Sequence, residues 1–336
     1  MDKEFLVLNE TRSVTLTAYI QPVGGDFGGL TERPAVLILP GGGYHFCSDR
    51  EADPVAFPYL QAGYHAFILR YSLNEQAVWP NPLEDYEQAM RLIRGRAADW
   101  HVAADRIAVI GFSAGGHLAA CAATMSENRP NAAILGYPVI DGDCARDYLA
   151  TAPDVPSAVD AKTCPCFVFA TRTDNLVPAS NTLHMIEALW KNDIAFESHI
   201  YSNGPHGLAT GDPAICAPNF TDRYAGWVRD SIAWLSDVLG GASPAGLTAP
   251  RFGAKVNGNR ERTLNLDCTL RHLMAHPAGK AILEELAGGR PGGMAPSAAT
   301  GVITLRDSLQ YMGLDAEAVR ALEARLNAIE NNPQEE

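Results

Sequence analysis

The 336-residue sequence predicts an α/β fold, a mostly parallel eight-stranded sheet with helices on both faces, followed by a small all-helical module at the C-terminal end. From about residue 4 to residue 239, strand-like and helix-like segments alternate, which is typical of parallel sheets covered by helices. The central strand candidates are short continuous apolar runs, as expected for strands buried on both faces. Beyond residue 250, helical patterns recur without strands.

The eight strand candidates are 4–8, 15–20, 35–39, 65–71, 107–112, 133–137, 166–171 and 196–201. The helix candidates between them are 53–62, 83–100, 115–125, 180–190 and 222–239. The second of these has an apolar stripe at helical spacing, whereas Pro58 weakens the first, because proline disrupts a helix interior.

The composition changes after Leu239, where residues 240–250 are small and interrupted by proline, as in a linker. We therefore predict a main domain over 1–240, a linker over 241–250 and a small helical domain over 251–336. Pro277 suits a first helical turn and Asp315 a helix N-cap. We find no internal repeat. The helix candidates of this last domain are 270–275, 277–286, 305–312 and 315–329.

The formal net charge of −13 argues against nucleic-acid and membrane partners, because an acidic surface repels phosphates and anionic lipids. The seven cysteines form no disulfide framework, so we expect reduced thiols. The N-terminal segment lacks the long apolar run of a signal peptide, and no segment is long and apolar enough to span a membrane. These observations predict a cytoplasmic protein, and they leave open whether it forms a homo-oligomer.

A candidate nucleophile lies in Gly111-Phe112-Ser113-Ala114-Gly115, which matches the pattern G-x-S-x-G. The motif follows an apolar strand and opens a helical run, the context in which a serine is raised on a tight turn with its hydroxyl accessible. The Ala114 N–H and the helix N-terminus would then favour negative charge beside Ser113. The alternative is a serine that only caps a helix.

The strand at 35–39 runs directly into Pro40-Gly41-Gly42-Gly43-Tyr44. Successive glycines let the backbone turn its N–H groups inward and let a substrate carbonyl approach. Together with the Ala114 N–H, two such donors would form an oxyanion hole. A flexible glycine turn is the alternative.

The order serine, acid, histidine along the chain points to Asp174 and His206 as the partners of Ser113. Asp174 follows a buried strand, and His206 lies in a loop of glycine and proline after the last strand. The imidazole would take the Ser113 proton, and the carboxylate would orient the imidazole. Competing acids are Asp141 and Asp143; competing bases are His45, His65, His117 and His184.

Five segments together resemble the bacterial esterase/lipase group of the α/β-hydrolase family, which includes acetyl-xylan-esterase-like enzymes and relatives of feruloyl esterases. The segments are PGGGY, GFSAGGHLAA, GYPVI, TRTDNLVP and GPHGL, and the resemblance covers about residues 4 to 240. It implies an α/β-hydrolase fold with Ser113 as nucleophile, Asp174 as acid and His206 as base. It also implies an oxyanion hole formed by the amides of Gly42, Gly43 and Ala114.

The resemblance further implies a serine carboxylic-ester hydrolase that forms an acyl-enzyme. Many relatives carry histidine where this chain has Pro40, and the acetyl-esterase-like branch often carries proline there. Only about 25 residues follow Ile140 before the next strand, so we expect a short cap and an open site. That favours a small acyl group, acetyl above all, on a sugar or oligosaccharide.

The candidate substrate-binding residues are Tyr44, Trp79 and Tyr137, with core packing as the alternative for each. No metal or organic cofactor is expected, because no ligand-spaced cluster is present in the sequence. The expected partner is therefore a small-molecule or oligosaccharide ester. Two other functions stay open: a peptidase on the same fold, and a non-catalytic binding protein that retains the fold.

Overall fold

The structure, a computed structural model, describes residues 1–216, 220, 222–251, 257–259, 261–288 and 301–331. The chain divides into two compact units, Met1–Ala254 and Lys255–Glu336. Each unit is considered by itself.

The first unit is built on a sheet of eight strands in the order β1-β2-β4-β3-β5-β6-β7-β8. The β1–β2 and β2–β4 pairs are antiparallel, and the other pairs are parallel. This confirms the predicted fold class. The strands are β1 (Asp2–Asn9), β2 (Val14–Ile20), β3 (Arg33–Leu39), β4 (His65–Arg70), β5 (Val102–Phe112), β6 (Ala132–Gly136), β7 (Cys166–Thr171) and β8 (Phe196–Tyr201).

Helices cover both faces of this sheet. They are α1 (Asp53–Gln61), α2 (Asn81–Gly95), α3 (Ala97–Trp100), α4 (Ser113–Met125), α5 (Gly142–Tyr148), α6 (Ser180–Lys191) and α7 (Gly226–Leu239). Because side chains alternate along a strand, β3 sends Leu37 into one core and Val36 and Ile38 into the other. The first core is closed by α2, α4 and α6, and the second by α1 and α7.

Part of the segment predicted as a linker forms a small hairpin, β9 (Ala242–Ser243) and β10 (Gly246–Leu247). Its turn is attached to the first unit, because the Gly29 N–H donates to the Pro244 carbonyl at 2.7 Å. The Arg106 guanidinium donates to the Thr248 carbonyl at 2.8 Å. The small residues of this segment therefore form a tight turn that packs against the rest of the first unit.

The second unit encloses a leucine-rich core. Its helices are α8 (Leu270–Ala275), α9 (Pro277–Leu286), α10 (Leu305–Leu309) and α11 (Ala316–Asn327). Pro277 opens α9 and Asp315 caps α11, as predicted. Residues 289–300 and 332–336 of this unit lie outside the described residues.

The two helix pairs of this unit begin alike, each with Thr-Leu-Arg, at 269–271 and 304–306. Both threonines accept a hydrogen bond from the backbone of the third residue that follows. The Leu270 N–H donates to the Ile303 carbonyl at 2.9 Å, and the Leu305 N–H donates to the Cys268 carbonyl at 3.0 Å. The unit thus has two similar halves, which share too few consecutive residues to appear as a sequence repeat.

All seven cysteines are free. In the part of the chain that the structure describes, no helix has both the length and the apolar character needed to cross a lipid bilayer.

Candidate active site

Ser113 lies at the junction of β5 and α4 with a φ of 52°, in the left-handed region that non-glycine residues rarely adopt. The flanking glycines allow this turn because the backbone is crowded there. A Cβ on Gly111 would fall on the Gly115 carbonyl, and one on Gly115 would fall on the Leu39 carbonyl. The pattern G-x-S-x-G is therefore required sterically, and the strained turn presents the serine hydroxyl at the carboxyl edge of the sheet.

The structure brings Ser113, His206 and Asp174 together in one hydrogen-bonded chain. The Ser113 Oγ lies 2.9 Å from His206 Nε2, and His206 Nδ1 lies 2.8 Å from Asp174 Oδ2. An ionised carboxylate can only accept, so Nδ1–H donates to Asp174 and Nε2 is left to accept from the serine hydroxyl. The Asp174 side chain is 1% exposed and the His206 side chain is 12% exposed, so their hydrogen bond is shielded from water. This geometry allows His206 to remove the hydroxyl proton.

The Asp174 carboxylate is held by the loop after β7. Its Oδ1 accepts from the N–H groups of Leu176 at 2.9 Å and Val177 at 2.8 Å. The neighbouring Asn175 side chain accepts from the His206 backbone N–H at 3.1 Å. One loop therefore orients both the carboxylate and the histidine backbone.

The glycine loop after β3 supplies the candidate oxyanion donors. The Gly41 N–H donates to Glu51 Oε2 at 2.7 Å, whereas the N–H groups of Gly42 and Gly43 donate to no group among the described residues. Ala114 belongs to the first turn of α4, where backbone N–H groups have no partner within the helix. The resemblance implies the amides of Gly42 and Gly43 as oxyanion donors, and these amides have no acceptor among the described residues. Their catalytic role stays a prediction.

Tyr44, which follows the glycines, is anchored by His117. The His117 Nε2 lies 3.0 Å from the Pro153 carbonyl, which can only accept, so Nδ1 accepts from the Tyr44 hydroxyl at 2.8 Å. Burial lowers the pKa of His117 to about 4, so the ring stays neutral. His117, considered as a competing base, therefore supports the glycine loop instead.

Glu51 is a residue near the site that the sequence did not single out. It is 4% exposed, and its Oε1 accepts from the Tyr137 hydroxyl at 2.5 Å. Burial raises the pKa of Glu51, while the hydrogen bonds from Tyr137 and Gly41 oppose that rise. No sequence signal distinguishes this buried acid from the exposed Asp49 two residues earlier.

The three candidate substrate-binding residues differ in exposure. Tyr44 and Tyr137 are buried, with their hydroxyls bonded to His117 and Glu51, which corresponds to the packing alternative. The Tyr137 ring lies 4.8 Å from the His206 ring in an edge-on arrangement. Trp79 is half-buried and lies edge-on to His117, so it keeps surface that could contact a ligand. A substrate-binding role for these residues stays a prediction.

The competing acids and bases lie in other surroundings. His184 Nδ1 is 2.9 Å from Asp141 Oδ1 at the protein surface, and Asp143 pairs with Arg146. His65 is buried, with its two ring nitrogens 3.1 Å from the Gln21 N–H and the His101 carbonyl. His45 is exposed and faces Asn74. None of these five residues forms a hydrogen bond with Ser113 within the described residues.

Helix α5 is a second feature missed from the sequence. It lies in the segment expected to form a short cap, and its last residue, Tyr148, lies beside the glycine loop after β3. A Cβ on Gly43 would lie 3.2 Å from the Tyr148 ring. Over the part of the chain that the structure describes, no group of three or more His, Cys, Asp or Glu side chains could hold a metal ion.

Comparison with known proteins supports a hydrolase fold. The family model designated BD-FAE matches residues 28–155. The chain is 43% identical to MGS-M1, an α/β-hydrolase enzyme from a Medee basin deep-sea metagenome library, with a TM-score of 0.65. The match covers 70% of this chain and 97% of that one. The carboxylesterase Cest-2923 of Lactobacillus plantarum is 31% identical, with the same TM-score and coverage.

Among curated proteins, an acetylxylan esterase of Xylanibacter ruminicola is 30% identical over 237 residues. The match covers 62% of this chain and 49% of that protein. The chain spans only 34% and 49% of the length of two curated relatives that it matches, so each relative has a large part with no counterpart in the match.

Proposed function

Because this chain belongs to the α/β-hydrolase family, we propose that it is a serine carboxylesterase that removes short acyl groups, acetyl above all, from sugars or oligosaccharides. The observation that carries the proposal is the hydrogen-bonded series from Ser113 through His206 to Asp174, beside the amides of Gly42 and Gly43, which have no acceptor among the described residues. These are the groups that acyl transfer through a covalent intermediate requires.

In the first step, His206 Nε2 accepts the hydroxyl proton while Ser113 Oγ attacks the ester carbonyl carbon. The negative charge that develops on the carbonyl oxygen is stabilised by the amides of Gly42, Gly43 and Ala114. His206 then gives its proton to the departing alcohol, which leaves an acyl-serine. Throughout, Asp174 stabilises the imidazolium.

In the second step, water replaces the alcohol. His206 accepts a proton from the water molecule, the resulting hydroxide attacks the acyl carbon, and the oxyanion passes again through the same amides. Collapse of that intermediate releases the carboxylic acid and returns the proton to Ser113 Oγ. The cycle needs no group beyond these side chains and amides.

Three observations support acetylated sugars as substrates. The relative from Xylanibacter ruminicola is an acetylxylan esterase. The segment between β6 and β7 is short and forms only α5 and one 3₁₀ turn among regular elements, so a bulky alcohol would meet little covering structure. Tyr148 beside Gly43 would limit the space next to the oxyanion, which favours a small acyl group.

The test compares hydrolysis of p-nitrophenyl acetate, butyrate and octanoate with acetate release from acetylated xylo-oligosaccharides and cleavage of an aminoacyl anilide. We expect acetate esters to be cleaved fastest. Cleavage of the anilide alone would identify a peptidase and contradict the proposal.

The nucleophile is tested with a fluorophosphonate probe. Wild type should be labelled and Ser113→Ala should not. Ser231→Ala is the matched control, because Ser231 is a fully buried serine on α7 bonded to Tyr59, and it should be labelled like wild type. Equal labelling of Ser113→Ala and wild type would remove Ser113 from the mechanism.

A further inference from the structure

Glu51 is a buried carboxylate without a cationic partner among the described residues. Its side chain forms no ion pair within this part of the chain, although isolated buried charges are unfavourable. Both of its oxygens are nevertheless occupied, Oε2 by the Gly41 N–H and Oε1 by the Tyr137 hydroxyl. An apolar side chain of similar size could not accept these two hydrogen bonds. The two partners therefore indicate what the Glu51 carboxylate does.

The first partner, Gly41, belongs to the glycine loop that would supply the oxyanion donors. Gly41 is held on both sides, because its N–H donates to Glu51 and its carbonyl accepts from the Ser48 N–H at 2.9 Å. The Gly41 carbonyl and the Gly42 N–H belong to one planar peptide group and point in opposite directions. Fixing Gly41 therefore fixes the direction of the Gly42 N–H.

Gly41 also lies against the nucleophile. A Cβ placed on Gly41 would be 2.8 Å from Glu51 Oε2 and 3.0 Å from the Ser113 Cβ. The carboxylate, the glycine and the serine side chain therefore lie close together. Any shift of the Gly41 peptide would change the position of the oxyanion donors relative to Ser113.

The second partner, Tyr137, contacts the loop that carries His206. The Tyr137 hydroxyl donates to Glu51 and accepts from the Ala209 N–H at 3.0 Å. Ala209 is three residues beyond His206, on the same loop. The Tyr137 ring meanwhile packs edge-on against the His206 ring. Glu51 is therefore connected to the base through a single side chain.

We propose that Glu51 is a positioning residue for acyl transfer, whose one carboxylate fixes the oxyanion amide of Gly42 through Gly41 and the loop of His206 through Tyr137. The inference rests on the function proposed above. Among the described residues, Glu51 forms no hydrogen bond with Ser113 or with the amides of Gly42 and Gly43, so it acts through Gly41 and Tyr137.

The test is Glu51→Gln. Its amide oxygen can still accept from Gly41, but its NH₂ then faces the Tyr137 hydroxyl, whose own hydrogen loses its acceptor. We expect kcat toward p-nitrophenyl acetate to fall by about tenfold or more with KM nearly unchanged, since a misdirected oxyanion donor loses part of the 10²–10³-fold effect of deleting one.

The matched control is Asp85→Asn. Asp85 is a fully buried acid on α2 that also accepts from a backbone N–H and a hydroxyl, both of Ser72, and it pairs with Arg12. Its substitution should lower thermal stability while leaving kcat and KM as in wild type. Equal losses of kcat in the two variants would mean that Glu51 only supports the fold, and would overturn the proposal.

A second variant, Tyr137→Phe, keeps the carboxylate and removes the connection to Ala209. It should lower kcat with KM nearly unchanged, and it decides the question if Glu51→Gln does not fold. Wild-type kcat in either folded variant would overturn the positioning role, provided that wild type is active and Ser113→Ala is not. Wild type inactive on every ester would instead refute the proposed function.

Discussion

The two oxygens of Asp174 have different partners, and this difference makes Asp174→Asn a sharp test of the triad. Oδ1 accepts two backbone N–H groups, so the amide oxygen of asparagine must take that position. Its NH₂ then faces His206 Nδ1 and forces the proton onto Nε2, which can no longer accept from Ser113. We predict a loss of about 10⁴-fold in kcat on p-nitrophenyl acetate.

The control is Asp141→Asn at the competing acid, which lies on the surface beside His184. This variant should retain wild-type kcat. A loss in Asp141→Asn, with Asp174→Asn active, would exchange the roles of the two acids.

The hydrogen bond between Tyr44 and His117 predicts a coupled loss of stability and activity. Tyr44→Phe leaves the buried His117 Nδ1 without a donor, at a cost of about 1–3 kcal/mol in the free energy of unfolding. Because Tyr44 follows Gly43 directly, kcat should fall as well. Both quantities are measured, by chemical denaturation and by p-nitrophenyl acetate hydrolysis.

Tyr86→Phe is the control, since Tyr86 is equally buried and its hydroxyl donates to the Asn128 carbonyl. It should lose stability only. If Tyr44→Phe kept full activity at reduced stability, the bond would serve packing and not the glycine loop.

The sequence was sufficient to name Ser113, Asp174 and His206 as candidates because their positions follow chain order and strand ends, and the structure places them in hydrogen-bond contact. Glu51 could not be named this way. Its burial depends on contacts with Tyr137, 86 residues away, and no local pattern encodes such a contact.

At the scale of elements, strands and helices with a long, regular apolar pattern were predictable from the sequence, and short or irregular elements were not. All eight predicted strands are present, and β7 and β8 have the predicted bounds. The helix predicted over 83–100 is interrupted after Gly95, a residue of low helix propensity. Helix α5, with seven residues, is too short to show a period.

The N-cap of α11 provides a prediction at this scale. The Asp315 side chain accepts from the N–H groups of Glu317 and Ala318, so Asp315→Ala should destabilise the helix by about 1 kcal/mol. Amide exchange of residues 316–327 in the full chain should become about fivefold faster. Glu317→Ala, which keeps the cap, should change exchange much less, and equal effects would show that helix charge matters more than the cap.

At the scale of the whole molecule, one sheet separates two apolar cores, and each core buries titratable groups that bear on stability. Burial lowers the pKa of both His65 and His117 to about 4, from an ordinary value of 6.5. Each neutral ring therefore contributes stability that is complete above pH 6.5 and is lost as the pH falls toward 4, on the order of 3 kcal/mol apiece. The pH dependence of the Glu51 contribution to stability has the opposite sign, because burial raises the pKa of Glu51.

The two histidines should therefore lower the free energy of unfolding by several kcal/mol between pH 7 and pH 4, while Glu51 acts in the opposite direction. His65→Gln isolates one contribution, because glutamine can accept from the Gln21 N–H and donate to the His101 carbonyl as the ring does. Urea denaturation at a series of pH values should give a shallower decline for His65→Gln than for wild type. His184→Gln, at an exposed histidine, should follow wild type. If all three proteins declined with the same slope, burial of neutral His65 would not be a source of the acid sensitivity.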